Sequence, residues 1–128
     1  MLQAVLHLLP QAPSALSVFL LTIFCGPNIP APQRDMACSI SSKFYGGPWT
    51  MWREAAEDQV NADWHRQMVG TLRPFNHGYY IGESNTVERP DSAVQAFTPE
   101  KWQRLRDLRA QHDPDNVFFD YFNGLTTA

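Results

Sequence analysis

Little in this chain points to chemistry carried by cysteine, histidine or an excess of positive charge. Its 128 residues include two cysteines, Cys25 and Cys38. Their separation matches no metal-binding spacing, and two thiols make no disulfide framework. Both lie in apolar stretches, which suits buried free thiols. The histidines His7, His65, His77 and His112 are scattered and form no ligand pair at helical spacing. Ten Lys and Arg stand against thirteen Asp and Glu, for a net charge of −3, so the basic balance of a nucleic-acid binder is missing. The one basic cluster, Lys101 to Arg109, is broken by the acids Glu100 and Asp107 and reads as a solvated helix face. No Lys or Arg precedes Arg34. The apolar stretch Leu16 to Cys25 therefore lacks the positive region of a secretory signal. It is also shorter than the about 20 residues that span a bilayer. Gly46-Gly47 precedes Pro48 and does not open a helix, so no glycine-rich phosphate loop is present. No nucleic-acid or membrane partner is expected. The compartment stays open, with the cytoplasm slightly favoured.

What is present suits one modest folded domain over residues 1–128. Hydrophobic residues make up 44% of the chain and charged residues 18%, a globular balance. Leu2 to Leu9 carries an apolar stripe of Leu2, Val5, Leu8 and Leu9 that predicts a short helix, closed by Pro10. Met1 leads almost directly into that apolar segment, which suggests a chain cut from a longer one. Ser14 to Phe24 is continuously apolar and predicts a strand covered on both faces. Asp35 to Tyr45 alternates, with Met36, Cys38, Ile40 and Phe44 on one face and Asp35, Ser39, Ser41 and Lys43 on the other. Gly46-Gly47-Pro48 predicts a turn. Glu54 to Leu72 predicts a helix buried along Val60, Trp64, Met68 and Leu72. Gly78 to Glu83 predicts a third strand, and Asp91 to Phe97 a short helical turn. Thr98 is a helix N-cap with Pro99 at the first helical position. Trp102, Leu105 and Leu108 form that helix's inner stripe, and Asp113-Pro114 ends it. Phe118, Phe119, Tyr121 and Phe122 make an aromatic tail. The expected fold is α+β: a small antiparallel sheet with helices packed on one face.

Four stretches, in this order, resemble one family. They are Ala12-Pro13-Ser14-Ala15-Leu16-Ser17, Arg34-Asp35-Met36-Ala37-Cys38-Ser39-Ile40, Tyr80-Ile81-Gly82-Glu83, and the pair Trp102-Gln103-Arg104-Leu105 and Asp113-Pro114-Asp115-Asn116-Val117-Phe118. Together they resemble the C-terminal part of FAD-linked oxidoreductases of the berberine-bridge-enzyme type. The family patterns are Pro-Ser-x-x-Ser, Arg-Asp-x-x-Tyr-Ser-Ile, Tyr-x-Asn-Glu, and a basic helix closed by Asp-Pro-Asp-x-x-Phe. This chain departs from them in three places, one of them past Phe118, where Tyr121 or a neighbour takes the place of an Asn that helps hold the flavin side. Ser41 stands where some members carry a carboxylate or Gln facing the substrate. Gly82 stands where the family has Asn.

The resemblance implies the substrate domain of a two-part enzyme, without the N-terminal FAD-binding domain. That domain roofs the flavin and shapes the pocket for an alcohol, sugar or aromatic compound, while the flavin takes hydride. It implies Ser41, Tyr80 and Glu83 as catalytic candidates. Ser41 would position substrate, Tyr80 would line the flavin or donate a hydrogen bond, and Glu83 would act as acid or base. It implies Tyr80, Asn116 and Tyr121 as FAD contacts, with no metal. The partners implied are an FAD-binding domain or subunit and a small-molecule substrate, and turnover by this chain alone is not expected. Two alternatives stay open: a non-catalytic remnant or partner subunit without its own FAD, and a small binding module for another ligand.

Overall fold

A computed structural model describes residues 1–23, 37 and 42–118 of the chain. Along them run α1 (Leu2–Leu8), β1 (Val18–Ile23), β2 (Phe44–Trp49), α2 (Asp58–Leu72), α3 (Asp91–Val94) and α4 (Pro99–His112), with short 3-10 turns between. The class is α+β, with a two-stranded antiparallel sheet. The described residues fall into two compact units, 1–23 with 42–76, and 37 with 77–118. Among them no helix is long and apolar enough to cross a membrane.

The first unit is built on a small apolar cluster of Val5, Leu8, Trp64 and Met68, all buried, with Leu9, Ala12, Phe19 and Leu72 packed around it. Helix α1 forms as its apolar spacing predicts. Pro10 does not stop it abruptly but tightens it into the 3-10 turn Leu9–Gln11. The free carbonyls at its end find side-chain donors, a common need at helix C-termini. Gln11 Nε2 donates to the His7 carbonyl at 2.8 Å, and Trp64 Nε1 to the Leu8 carbonyl at 3.1 Å. Helix α2 begins near its acidic start, after the turn Ala55–Glu57, and Pro74 takes it into the 3-10 turn Arg73–Phe75. Its inner stripe differs from the expected one. Asn61, Trp64 and Met68 are buried, and Val60 lies half exposed. Steps of four drift around a helix of 3.6 residues per turn, so the stripe runs through position 61 instead of 60.

The sheet departs most from expectation. β1 is shorter than Ser14 to Phe24 and is not covered on both faces. Val18, Leu20 and Ile23 are exposed, while Phe19 joins the core beneath α1 and α2. Only one face of a two-stranded sheet has helices to meet. The strand expected over Asp35 to Tyr45 lies largely outside the described residues. Of its described positions only Phe44 and Tyr45 are strand. The expected turn Gly46-Gly47-Pro48 is instead the middle of β2, with Gly46 opposite Leu21, Gly47 opposite Leu20 and Pro48 opposite Phe19. Proline lacks the N–H that a central strand needs, but an edge strand tolerates it. Ser17 Oγ extends the pairing past the last residues of the ladder. It accepts from Met51 N at 3.2 Å and faces the Met51 carbonyl at 3.4 Å.

At Gly46 the backbone of β1 leaves no room for a side chain. A Cβ there would stand 2.2 Å from the Leu20 carbonyl oxygen, a backbone atom that cannot step aside cheaply. Gly46→Ala is therefore expected to force β1 and β2 apart, at a cost of about 1–3 kcal/mol, the usual range for overpacking. Chemical denaturation measures it, with Gly47→Ala as control, since nothing lies within 4 Å of a Cβ at Gly47.

In the second unit Ser92, Ala93, Ala96 and Trp102 are buried. The Trp102 ring packs on Phe97, with centroids 5.8 Å apart. Helix α4 starts as expected: Thr98 Oγ1 accepts from Lys101 N at 3.4 Å and Pro99 occupies the first turn. The inner stripe is thinner than predicted, since Trp102 is buried, Leu105 half-buried and Leu108 exposed. No capping-box Glu stands at Lys101, but Glu100 beside it supplies an anion at the helix start. Hydrogen bonds from its own backbone N–H and from the Thr98 side chain hold the Glu100 carboxyl below its ordinary range.

Candidate functional site

The residues expected to carry chemistry that fall within the described set lie in the second unit. Ser41 and Tyr121 lie outside the described residues. So do Cys25 and Cys38, and the aromatic tail beyond Phe118.

Tyr80 and Glu83 come together on one turn. The expected strand over Gly78 to Glu83 is not formed: residues 77–80 carry neither helix nor strand, and Ile81–Glu83 closes a 3-10 turn. The reason is local. The Tyr80 carbonyl accepts Glu83 N at 3.1 Å and Ser84 Oγ at 2.8 Å, so the chain folds back on itself. The turn leaves the Tyr80 side chain 54% exposed and Glu83 exposed, three residues on. An exposed phenol can donate a hydrogen bond or stack, and an exposed carboxylate can take a proton.

Gly82 has a use in this turn. Its Cα lies under the Tyr80 ring, and a Cβ there would stand 3.1 to 3.2 Å from the ring's Cζ, Cε1 and Oη. Where the resembled family has Asn, this chain has room for the phenol to fold against its own backbone. Gly82→Ala is expected to swing Tyr80 outward and leave stability within about 0.5 kcal/mol, since the clashing atoms end a flexible side chain. Nuclear Overhauser contacts between the Tyr80 ring and residue 82 should disappear in the variant. A loss of several kcal/mol would show that the ring cannot move.

Asn116 lies on a separate turn, just past α4. It has φ 51°, a left-handed backbone that Asn tolerates better than most residues. The turn is held by Asp113, buried at 9% exposure. Its Oδ1 accepts Val117 N at 2.7 Å and its Oδ2 accepts Phe118 N at 3.2 Å. Arg109 Nη2 lies 3.0 Å from Asp113 Oδ2 and donates to the Phe118 carbonyl at 2.8 Å. The Asp-Pro-Asp-Asn segment thus has a structural task that needs no ligand.

Two side-chain pairs escaped sequence reasoning because distance along the chain hides them. In the first unit Thr50 Oγ1 lies 2.8 Å from His65 Nδ1, tying the end of β2 to α2. In the second, the Arg89 guanidinium sits 4.6 Å over the Tyr79 ring. An open groove of about 620 Å³ runs along residues 9–19, lined by Leu9, Pro10, Pro13, Ser14, Val18 and Phe19 among others. It contains none of the expected site residues. Its lining mixes apolar side chains with the hydroxyls of Ser14 and Ser17 and carries no charged group. Among the described residues no group of three or more His, Cys, Asp and Glu could hold a metal ion.

Two curated fungal proteins match this chain. It is 29% identical over 89 residues to the FAD-linked oxidoreductase nodO of Hypoxylon pulicicidum, covering 70% of this chain and 19% of that protein. It is 32% identical over 69 residues to the FAD-linked oxidoreductase alt4 of Alternaria solani, covering 52% of this chain and 14% of that protein. The chain is distantly homologous, over part of its length, to FAD-linked oxidoreductases. It spans less than a fifth of the length of these relatives. No family model and no solved structure matches it.

Tyr80 offers an exposed aromatic face of the kind that can cover a flavin ring. The described residues build no cradle for the dinucleotide's phosphates, and the open groove in the first unit is lined by apolar and hydroxyl side chains without a cation. They do not fit a complete FAD site.

Proposed function

We propose that this chain is the substrate-side, berberine-bridge-like part of an FAD-linked oxidoreductase. It works against an FAD-binding portion supplied by a further domain or by a partner subunit. The observation that carries the reading is the match to two proteins named FAD-linked oxidoreductases, over 70% and 52% of this chain. The exposed Tyr80–Glu83 turn supports it, because it gives the matched region a polar and aromatic surface with something to meet.

On this reading the chain covers the flavin with Tyr80 and closes a pocket for an alcohol, sugar or aromatic substrate. The flavin, when bound, supplies the hydride acceptor. Tyr80 and Glu83 orient the substrate and take up a proton, and Ser41 positions it. Asn116 and Tyr121 complete the cofactor contacts. A Ser in place of a carboxylate at 41 leaves Glu83 as the proposed base.

The test is to isolate the protein natively from its own source and extract it with denaturant. The reading expects a flavin in the extract, in about equal amount to the chain. A colourless preparation that takes up no added FAD would overturn it, and would leave the non-catalytic remnant or partner subunit without its own FAD, and the small binding module, as the surviving accounts.

A further inference from the structure

The geometry points to a binding site for a small oxyanion, a carboxylate or a phosphate group, on Arg89 where it stacks over Tyr79. This goes beyond the flavin reading and stands without it.

Three observations carry the inference. The first is the stacking itself: the guanidinium carbon lies 4.6 Å from the Tyr79 ring centroid, and both residues are half-buried. A stacked guanidinium satisfies its flat face and leaves its N–H edges pointing outward in the plane, ready to fork two oxygens. The second is the rigidity of its base. Arg89 N donates to the Asn85 carbonyl at 3.1 Å. Its own carbonyl accepts both Ser92 N at 3.0 Å and Ser92 Oγ at 2.7 Å. Ser92 is buried at 1% exposure, so the backbone beneath Arg89 is fixed. Pro90 restrains the next residue.

The third is charge. Arg66 is paired with Asp63, and Arg109 with Asp113. Among the described residues no carboxylate pairs with Arg89, although Glu88 and Asp91 are close neighbours in the chain. A half-buried guanidinium held in place, with its donors uncommitted, is poised for an anion from outside. A rigid fork recognises two coplanar oxygens better than a point charge does, which is why Arg serves here better than Lys. The nearby acids weaken the attraction and set the affinity in the millimolar range.

Two sources share this chemistry: the carboxylate of an organic molecule and the phosphates of a nucleotide. The probes are benzoate, its neutral counterpart benzamide, and inorganic pyrophosphate, added to ¹⁵N-labelled protein. The readout is the Arg89 Nε–Hε resonance, with that of Arg109 as internal reference. A saturable shift with an oxyanion is expected, at a dissociation constant of about 1–10 mM, as for one charge-assisted contact. Benzamide should cause none. Benzoate binding with little effect of pyrophosphate assigns the site to carboxylates, and the reverse assigns it to phosphates.

Variants are read by the amide resonances around residue 89. Arg89→Lys keeps the charge and loses the fork, and should weaken binding about tenfold. Tyr79→Leu removes the ring that orients the guanidinium and should weaken it as well. The inference is overturned if no oxyanion gives a saturable shift, if benzamide matches benzoate, or if Arg89→Lys binds as tightly as the native chain.

Discussion

Trp64→Ala should cost about 3–5 kcal/mol, the largest loss expected from any single change in the first unit. Trp64 is 5% exposed and sits with Val5, Leu8 and Met68 in a cluster of four buried side chains among the described residues. A core this small cannot close over the space an indole leaves. The same residue also ends α1, because its Nε1 donates to the Leu8 carbonyl at 3.1 Å. Alanine removes both the packing and the donor. Trp64→Phe separates the two contributions. It keeps most of the apolar volume and strips the Leu8 carbonyl of its partner, at about 1–3 kcal/mol for an unsatisfied buried acceptor. Denaturant titration followed by tryptophan fluorescence of the remaining indoles measures both. If Trp64→Ala cost under 1 kcal/mol, the cluster could not be what holds α1, α2 and β1 together.

Asp113→Ala should cost about 2–4 kcal/mol and unfasten the turn that follows α4. One carboxylate serves three donors: Val117 N, Phe118 N and Arg109 Nη2. Removing it strands two amides and a guanidinium whose side chain is only 23% exposed. Arg109 keeps the Phe118 carbonyl, which limits the loss. Asp113→Asn should cost less, because its amide oxygen still accepts one N–H. Hydrogen exchange at Val117 and Phe118 reports the turn directly. Both amides should exchange at nearly unprotected rates in Asp113→Ala, whereas unchanged protection would mean that the backbone holds the turn without the side chain.

Helices were the legible part of this chain. Thr98 followed by Pro99, and Asp113 followed by Pro114, bracket α4 because capping and proline chemistry act within a few residues. The α2 helix was legible for the same reason, although its buried stripe shifted from Val60 to Asn61. An amide at a buried position looks unfavourable in a sequence. Here Asn61 Nδ2 donates to the Glu57 carbonyl at 2.9 Å one turn back, which offsets part of its burial. The sheet was less legible, because β2 is made of Phe-Tyr-Gly-Gly-Pro-Trp, and glycine and proline read as a turn wherever their partner strand is unknown. Gly46 is there to let Leu20 approach, a demand visible only once the strands are paired.

The candidate site was legible in its residues and not in its shape. The sequence suggests a strand at Tyr80 and Glu83, where side chains two apart share a face. The 3-10 turn instead brings residues three apart into one corner, with Gly82 beneath the phenol. Arg89 over Tyr79, ten residues along, follows from the fold of the intervening turn, and no local pattern announces it. The motif that suggests Asn116 as a cofactor contact begins at Asp113, which is a buried fastener. Asn116 itself adopts the left-handed conformation that the turn requires.

The central claim is that the Tyr80 turn of this chain faces a flavin. The most direct measurement is the flavin fluorescence of the natively isolated protein, compared with that of Tyr80→Leu. An electron-rich phenol in contact with an excited flavin quenches it by electron transfer. The account predicts a dim flavin in the native protein and a clearly brighter one in Tyr80→Leu, with equal flavin content in both. Equal brightness in the two proteins, or no flavin in either, would contradict it.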